Sequence, residues 1–242
     1  MLRRILFTAL IAGFITGIGI SVLQEFTTTP IILHAEEFED GGSAGGDKHG
    51  QIAVPATVIL VHGDEKHGDE DDAWAPAEGL ERTLFTTLAN VLGGVGFALI
   101  LVACLALAGR PVTGRIGVLW GMAGFAIFVL APALSLPPEV PGAMAAELTG
   151  RQTWWILCVA ATALGLWLLV FQPGVVWIGV GLVLIAAPHI LGAPQPDRIG
   201  GLAPPELAAH FAAASIVTAA VFWSVLGWLS GTLWRRFERG GH

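Results

Sequence analysis

Long apolar runs alternate with short polar segments along the 242-residue chain. Six runs are long enough to cross a hydrocarbon layer of about 30 Å as helices, for which roughly 20 residues are needed. They cover residues 5–23, 83–109, 116–136, 153–171, 175–191 and 207–234. The pattern predicts an all-α membrane protein with six transmembrane helices, with ends uncertain by a few residues.

Composition supports this interpretation. Hydrophobic residues make up 54% of the chain and charged residues 13%, whereas soluble domains average about 25% charged residues. The predicted organisation is therefore a first transmembrane helix in 1–23, an acidic, histidine-containing loop in 24–82, helices 2 to 6 in 83–234 and a tail in 235–242.

The first apolar run has two interpretations. Arg3 and Arg4 precede it, as basic residues precede the apolar part of a signal peptide. No small-x-small cleavage site follows, and the run is long enough to span a membrane. A retained helix is favoured, while a cleaved signal stays open.

Basic residues are distributed asymmetrically between the two ends of the predicted helices. If the amino terminus is cytoplasmic, only one acid, Glu238, lies on the cytoplasmic side. The bases on that side are Arg3, Arg4, Arg110, Arg115, Arg235, Arg236 and Arg239. Lys and Arg near helix ends favour the cytoplasm. Both termini are therefore predicted to be cytoplasmic, and the acidic loop is predicted to face outward.

The loop between the first two predicted helices is strongly acidic. Residues 24–82 contain 14 acids, three bases and four histidines, including the tandem pentapeptides "HGDEK" and "HGDED" that begin at His62 and His67. A segment this polar cannot bury enough apolar surface to form its own core. Most of it is expected to be disordered or loosely ordered.

Imidazole and carboxylate groups together suit divalent cobalt, nickel, copper or zinc. His34, His189 and His210 fall on the same predicted outer side as the loop, which favours metal capture there. A solvated acidic loop with incidental histidines is the alternative. The chain has neither a GxxxxGK[ST] phosphate loop nor an HExxH motif, so neither ATP binding by such a loop nor the commonest zinc-protease arrangement is indicated. No enzymatic activity and no nucleic-acid partner are expected.

Two further patterns each leave alternatives open. The Pro-rich turns after "VLAP" and "LIAAP" both lead to Glu-Leu, at Glu147 and Glu206, and a fainter third copy runs from "TTTP" at Pro30 to "EGLERTLF". The pattern predicts a helical hairpin used three times, unless Pro and Gly simply stop helices there. Polar residues inside the spans either line a path or bond neighbouring helices. They are Thr86, Thr87, Asn90, Thr162, Ser215, Thr218 and Ser224.

Several segments resemble one family. "MLRRILFTALIAGFITGIGISVLQEFTTTPIILHAEEFE", "LWGMAGFAIFVLAPALSLPPEVPG" with "RQTWW", and "APHILGAPQP" with "PPELAAHF" are similar to the predicted cobalt transporter subunit CbtA. The resemblance implies a multi-pass protein of the bacterial inner membrane that moves cobalt for cobalamin synthesis. It also implies a small partner, CbtB, with one span.

The combined hypothesis is a transporter subunit that captures cobalt(II), or secondly nickel(II), at the periplasmic face as its transported ligand. No permanently bound cofactor is expected, the partners are the lipid bilayer and the small subunit, and a homo-oligomer stays open. A membrane-anchored metal buffer or sensor is the alternative function. The candidate metal ligands are His34, Glu36, Glu37, His189 and His210, with His62 and His67 as accessory ligands.

Overall fold

The computed structural model describes residues 1–42, 76–77, 79–196 and 200–239. Over these residues the protein is helical, and its one extended pairing is an isolated antiparallel bridge between Ala143 and Gly201. The predicted accessory ligands His62 and His67 lie outside the described residues.

Eight α-helices and one π-helical turn follow each other along the described parts of the chain. They are α1 (Leu2–Phe26), α2 (Thr29–Gly42), α3 (Leu80–Leu107), α4 (Gly114–Phe125), the π turn (Ala126–Leu130), α5 (Ala131–Ala133), α6 (Leu148–Phe171), α7 (Val175–Leu191) and α8 (Pro205–Arg239).

Among the described residues, five stretches are long and apolar enough to cross a membrane, rather than the six predicted. They are Leu2–Phe26, Leu80–Leu107, Gly114–Ala133, Leu148–Phe171 and Pro205–Glu238. The predicted fifth span, Val175–Leu191, is an apolar helix of 17 residues, about 25 Å long at 1.5 Å per residue. It falls short of the hydrocarbon thickness, so six spans are not confirmed.

The predicted helix at 116–136 is interrupted by the π turn and ends at Ala133. In this turn the Ala131 amide donates to the Ala126 carbonyl, five residues back. Pro132 supplies the physical reason, because it has no N–H for the Phe128 carbonyl and its ring crowds that carbonyl in a regular α-helix. A wider turn before the proline relieves this conflict.

Glycines fix which helices pair closely. Cβ atoms added at Gly13 or Gly17 of α1 would meet the backbone of α3, and those at Gly117 or Gly121 of α4 would meet the backbone of α8. Small residues let helix backbones approach in this way. Since α1 and α3 also pack against α8, these four helices form one body.

Helices α6 and α7 form a second pair, in which a Cβ at Gly165 would lie 2.7 Å from the Gly181 carbonyl oxygen. The first predicted hairpin, which pairs the first two spans, agrees with the close packing of α1 and α3. The second and third hairpins are wrong as packing units, because α4 pairs with α8 and α7 with α6. Proline-rich turns set where each helix ends, whereas the glycine faces select its partner.

The two ends of the bundle differ in their contacts. At one end, the Arg4 guanidinium lies 3.4 Å from Glu238 Oε1 and 3.6 Å from the Trp234 ring centre; we call this the arginine end. The opposite end, where α1 ends and α3 begins, is called the loop end.

Helix α2 corrects the prediction of a loosely ordered loop for residues 29–42. Its buried residues Ile31, Ile32 and Ala35 pack against Val140 and against Phe211 of α8. Spacings of three and four residues place Ile31, Ile32 and Ala35 on one helix face. This apolar face against the bundle accounts for the helix despite the surrounding acidic residues.

Candidate functional site

A small pocket of about 60 Å³, with both apolar and polar side chains in its lining, lies at the loop end, between α1, α3 and α8 and below the start of α2. That volume has room for several water molecules. Its polar lining is formed by Gln24, Glu25, Thr28, Thr29, Arg82, Thr83, Thr86, Ser215 and Thr218. We call it the loop-end pocket.

Helical spacing explains how α1 contributes to the loop-end pocket. Ile20 and Gln24 are four residues apart, so they lie on one face of α1, and Thr28 follows at the same interval just past its end. Gln24 and Thr28 are both buried. Thr27 Oγ1 lies 3.4 Å from Thr218 Oγ1 of α8, which holds the end of α1 against α8 beside the pocket.

Charged side chains of both signs border the loop-end pocket. Arg82 donates to Glu36 of α2 through two nitrogens, at 2.6 Å to Oε1 and 3.0 Å to Oε2. Glu25 accepts a hydrogen bond of 3.2 Å from the Thr83 hydroxyl. The described lining of the pocket therefore contains one carboxylate, Glu25, and one guanidinium, Arg82, and the guanidinium is paired with Glu36.

Asn90 lies one helical turn below Thr86 and extends the polar surface into the bundle. Its Nδ2 donates to Gln24 Oε1 at 2.6 Å and to Ser21 Oγ at 3.0 Å. Ser21 Oγ in turn donates to the Gly17 carbonyl at 2.9 Å. Asn90 is only 3% exposed, and its Oδ1 has no hydrogen-bond partner among the described residues.

His189 occupies a different environment at the loop end, near the end of α7. Its Nδ1 lies 2.8 Å from Ser135 Oγ, and its ring meets the edge of Trp154 at 6.0 Å between centres. The Trp154 indole N–H donates to the Pro188 carbonyl at 3.2 Å. His189 therefore joins the turn after α5 to α6 and α7.

Two carboxylates of the turn before α6 have opposite pKa shifts. Burial raises the pKa of Glu139, although Arg151, at 2.7 Å, acts against this shift. Hydrogen bonds from Thr149 and from the Gly150 amide lower the pKa of Glu147, which caps the start of α6. Glu139 pairs with Arg151 and Glu147 caps α6, so both belong to this turn rather than to the loop-end pocket.

The predicted ligands within the described residues are not assembled into one cluster. His34 and Glu37 are exposed on α2, His210 is exposed on α8, and Glu36 is bonded to Arg82. Among the residues that the structure describes, no three His, Cys, Asp or Glu side chains are grouped to hold a metal ion. The capture site stays a prediction.

Polar residues inside the spans divide into two groups. Thr86, Ser215 and Thr218 line the loop-end pocket, and Asn90 lies beneath it. By contrast, Ser224 donates to its own helix at the Ala220 carbonyl, at 2.7 Å. Ser224 also donates to Met122 Sδ of α4 at 3.2 Å, and Asn90 bonds α1, so both residues connect neighbouring helices. A path along the polar residues stays a prediction.

The sequence analysis did not predict Gln24, Glu25 and Thr28 as pocket residues, because they follow the predicted end of the first span at residue 23. The signal was available in the sequence. Gln24 is eight residues after Thr16 and four before Thr28, a spacing that places polar groups along one helix face.

Within the described part of the chain, five helices are long and apolar enough to cross a membrane, as in a multi-pass helical membrane protein. The chain matches the CbtA family, described as "Probable cobalt transporter subunit (CbtA)", over residues 2–235, and it belongs to that family. The resemblance seen in the sequence is thus confirmed. No curated protein and no solved structure matches the chain.

Proposed function

We propose that this protein is the membrane-embedded subunit of a transporter that carries divalent cobalt, and secondly nickel, across the bacterial inner membrane. The family match over residues 2–235 is the observation that carries the proposal. The arginine end faces the cytoplasm, because Lys and Arg near helix ends favour that side. The loop end and its pocket then face the periplasm.

Capture begins at α2 in this proposal. His34 and Glu37 are both exposed and are separated by three residues, so they lie beside each other on the helix surface. An imidazole and a carboxylate at this spacing offer two ligands suited to cobalt or nickel. Glu36 becomes a third ligand only when it leaves Arg82.

The other predicted ligands serve as neighbouring collecting groups. His189 and His210 belong to the same proposed periplasmic surface, and His62 and His67 add imidazoles in the acidic loop. The high density of acids in residues 24–82 raises the local concentration of cations within about a Debye length, roughly 10 Å at 0.1 M salt.

The membrane potential provides a driving force for inward movement. Moving one charge through 100 mV corresponds to about 2.3 kcal/mol, so a divalent ion gains about 4.6 kcal/mol. A small single-span partner completes the transporter in this proposal, and cobalamin synthesis is the proposed use of the metal. The family description as a subunit supports a partner.

Uptake of radioactive cobalt tests the proposal. Cells that express the chain together with the small partner are expected to accumulate internal cobalt, with competition by nickel and a decrease after the membrane potential is collapsed. Cells with the partner alone are the control. More cobalt at the cell surface without more inside would contradict transport and would indicate a metal buffer.

A double substitution tests the α2 ligands. His34→Ala with Glu37→Ala is expected to raise the cobalt concentration for half-maximal uptake about tenfold, the equivalent of about 1.4 kcal/mol of lost binding, with little change in maximal rate. Leu33→Ala, at an exposed position of the same helix, is the matched control. Unchanged half-saturation in the double variant would remove α2 from the capture site.

A further inference from the structure

The hydrogen-bond partner of His189 lies in a short, rigid turn. Ser135, whose Oγ lies 2.8 Å from His189 Nδ1, follows the end of α5. The Ser135 amide donates to the Pro132 carbonyl at 3.2 Å, and two further prolines follow at positions 137 and 138. Because proline rings fix their own φ angles, this turn holds the serine hydroxyl at a defined position.

The helix that carries His189 is fixed at the same level. The Pro188 carbonyl accepts from the Trp154 indole N–H of α6 at 3.2 Å and from the Gly192 amide at 3.1 Å. The buried Trp154 ring also meets the His189 ring edge-on, with 6.0 Å between centres. The imidazole is therefore oriented before any ligand binds.

One ring nitrogen of His189 remains open. Nδ1 is bonded to Ser135, whereas Nε2 has no hydrogen-bond partner among the described residues and is not one of their buried unpaired atoms. His189 is half-buried, so Nε2 is a part of the ring that water reaches. Metal-binding histidines have this arrangement, because they almost always donate their second N–H to a neighbouring acceptor.

We propose that His189 binds the transported divalent cation through Nε2, and that Ser135 is the residue that positions it. A neutral imidazole carries one proton, and only the nitrogen without that proton has a lone pair for a metal. When Ser135 Oγ accepts from Nδ1–H, the proton stays on Nδ1 and the lone pair is left on Nε2. The inference rests on the proposed transport function and specifies which atom receives the ion.

His189 offers a single fixed imidazole rather than a closed cage. No three His, Cys, Asp or Glu side chains are grouped among the described residues, so water keeps the other positions around the cation. Weak binding of this kind suits an ion that must also leave. The fixed ring compensates in part, because it loses less conformational freedom on binding than the exposed His34 and His210 would lose.

The tautomer of His189 can be measured without metal, by ¹⁵N NMR of the full-length chain in lipid bilayers. Histidines are labelled, and a His189→Ala sample identifies the signals. At a pH where the ring is neutral, we expect the proton on Nδ1. Ser135→Ala removes the acceptor and should move protons to Nε2, whereas Ser135→Thr should restore the wild-type tautomer. A wild-type ring protonated at Nε2, or an unchanged tautomer in Ser135→Ala, would overturn the inference.

Cobalt(II) added to the same samples reports binding at this ring alone, because the paramagnetic ion broadens the signals of a histidine that it binds. Ser135→Ala is expected to raise the cobalt concentration for half-maximal broadening about tenfold, with Ser135→Thr close to wild type. Gln195→Ala is the matched control, because Gln195 bonds the Ala193 carbonyl in the turn after α7. A lower unfolding midpoint in Ser135→Ala with unchanged broadening would show a purely structural contact and overturn the inference.

Uptake of radioactive cobalt separates this inference from the proposed function. Uptake by the wild type without broadening of the His189 signals would overturn the inference and leave transport intact. Broadening that depends on Ser135, in a chain that takes up no cobalt, would support the inference and contradict transport.

Discussion

Two regions of the molecule pack in the same way but bury different side chains. One is the body formed by α1, α3, α4 and α8, and the other is the peripheral pair of α6 and α7. Both contain glycine contacts that bring helix backbones together. In the body, α1 adds a row of buried polar residues, including Thr8, Thr16 and Gln24, whereas α7 buries only Gly181 and Pro188. Glycines determine how closely helices approach, and the residues beside them determine whether the contact accommodates a polar group.

The largest expected effect comes from disrupting the body. In Gly117→Ala the new methyl group meets the Gly227 backbone of α8, and overpacking of this kind costs about 1–3 kcal/mol. Thermal unfolding in detergent should show a clear fall in midpoint. Gly96→Ala, with nothing within 4 Å of the added Cβ, should leave it unchanged or slightly higher. Equal midpoints for both variants would contradict the α4–α8 contact.

A smaller and more local effect is expected in the peripheral pair. The Cβ of Gly181→Ala lies 2.8 Å from the Gly165 carbonyl oxygen and 3.0 Å from Leu169, a side chain able to adjust. We expect a loss of about 1 kcal/mol with unchanged cobalt binding, since the loop-end pocket lies in the body and His189 lies about two turns further along α7. Gly179→Ala, in open space, is the matched control. Reduced cobalt binding in Gly181→Ala alone would show that the packing of this pair affects His189 or the pocket.

The ion pair between α2 and α3 should contribute less. Glu36 and Arg82 are 24% and 25% exposed, so solvent screens their attraction and a coupling energy of about 1 kcal/mol is expected. A double-mutant cycle with Glu36→Gln and Arg82→Met, followed by the free energy of unfolding, measures this coupling energy. Zero coupling would show that the pair does not hold α2 against the pocket.

The smallest effect is expected at the cap of α6. The folded state lowers the pKa of Glu147 below its usual 4.5, so the charged cap stabilises the fold above that pH. This contribution is lost as the pH falls through the lowered pKa. The difference in thermal unfolding midpoint between wild type and Glu147→Gln should therefore become smaller as the pH is lowered from about 6 to about 3. A difference independent of pH would exclude the charged cap.

Much of the fold follows from hydropathy, since long apolar runs located all five candidate spans. The first predicted hairpin gave the α1–α3 pairing, but the α4–α8 and α6–α7 pairings were not predicted, because they depend on matched glycine faces such as those of Gly117 and Gly227. Helix α2 was not predicted, because its many acidic residues indicated a disordered loop. The spacing of Ile31, Ile32 and Ala35 is nevertheless typical of one apolar helix face.

The candidate site was only partly predictable for a similar reason. The histidines were predicted as metal ligands from their side-chain chemistry alone. Which polar side chains contact each other depends on their positions in the fold. Asn90 was recognised as polar within a span, yet its meeting with Ser21 and Gln24 depends on the close approach of α1 and α3 at Gly17. That approach is a property of two segments about 70 residues apart.

The π turn at Ala126–Leu130 makes the rod formed by α4 and α5 tolerant of a change in residue number. One residue more or fewer in a regular helix rotates everything beyond it by about 100°, which would turn a buried face outward. A turn that already holds a surplus residue can lose it and become ordinary α-helix once the clash with Pro132 is also removed. A single-residue deletion in this turn combined with Pro132→Ala should therefore be accommodated more readily than a deletion anywhere in α1.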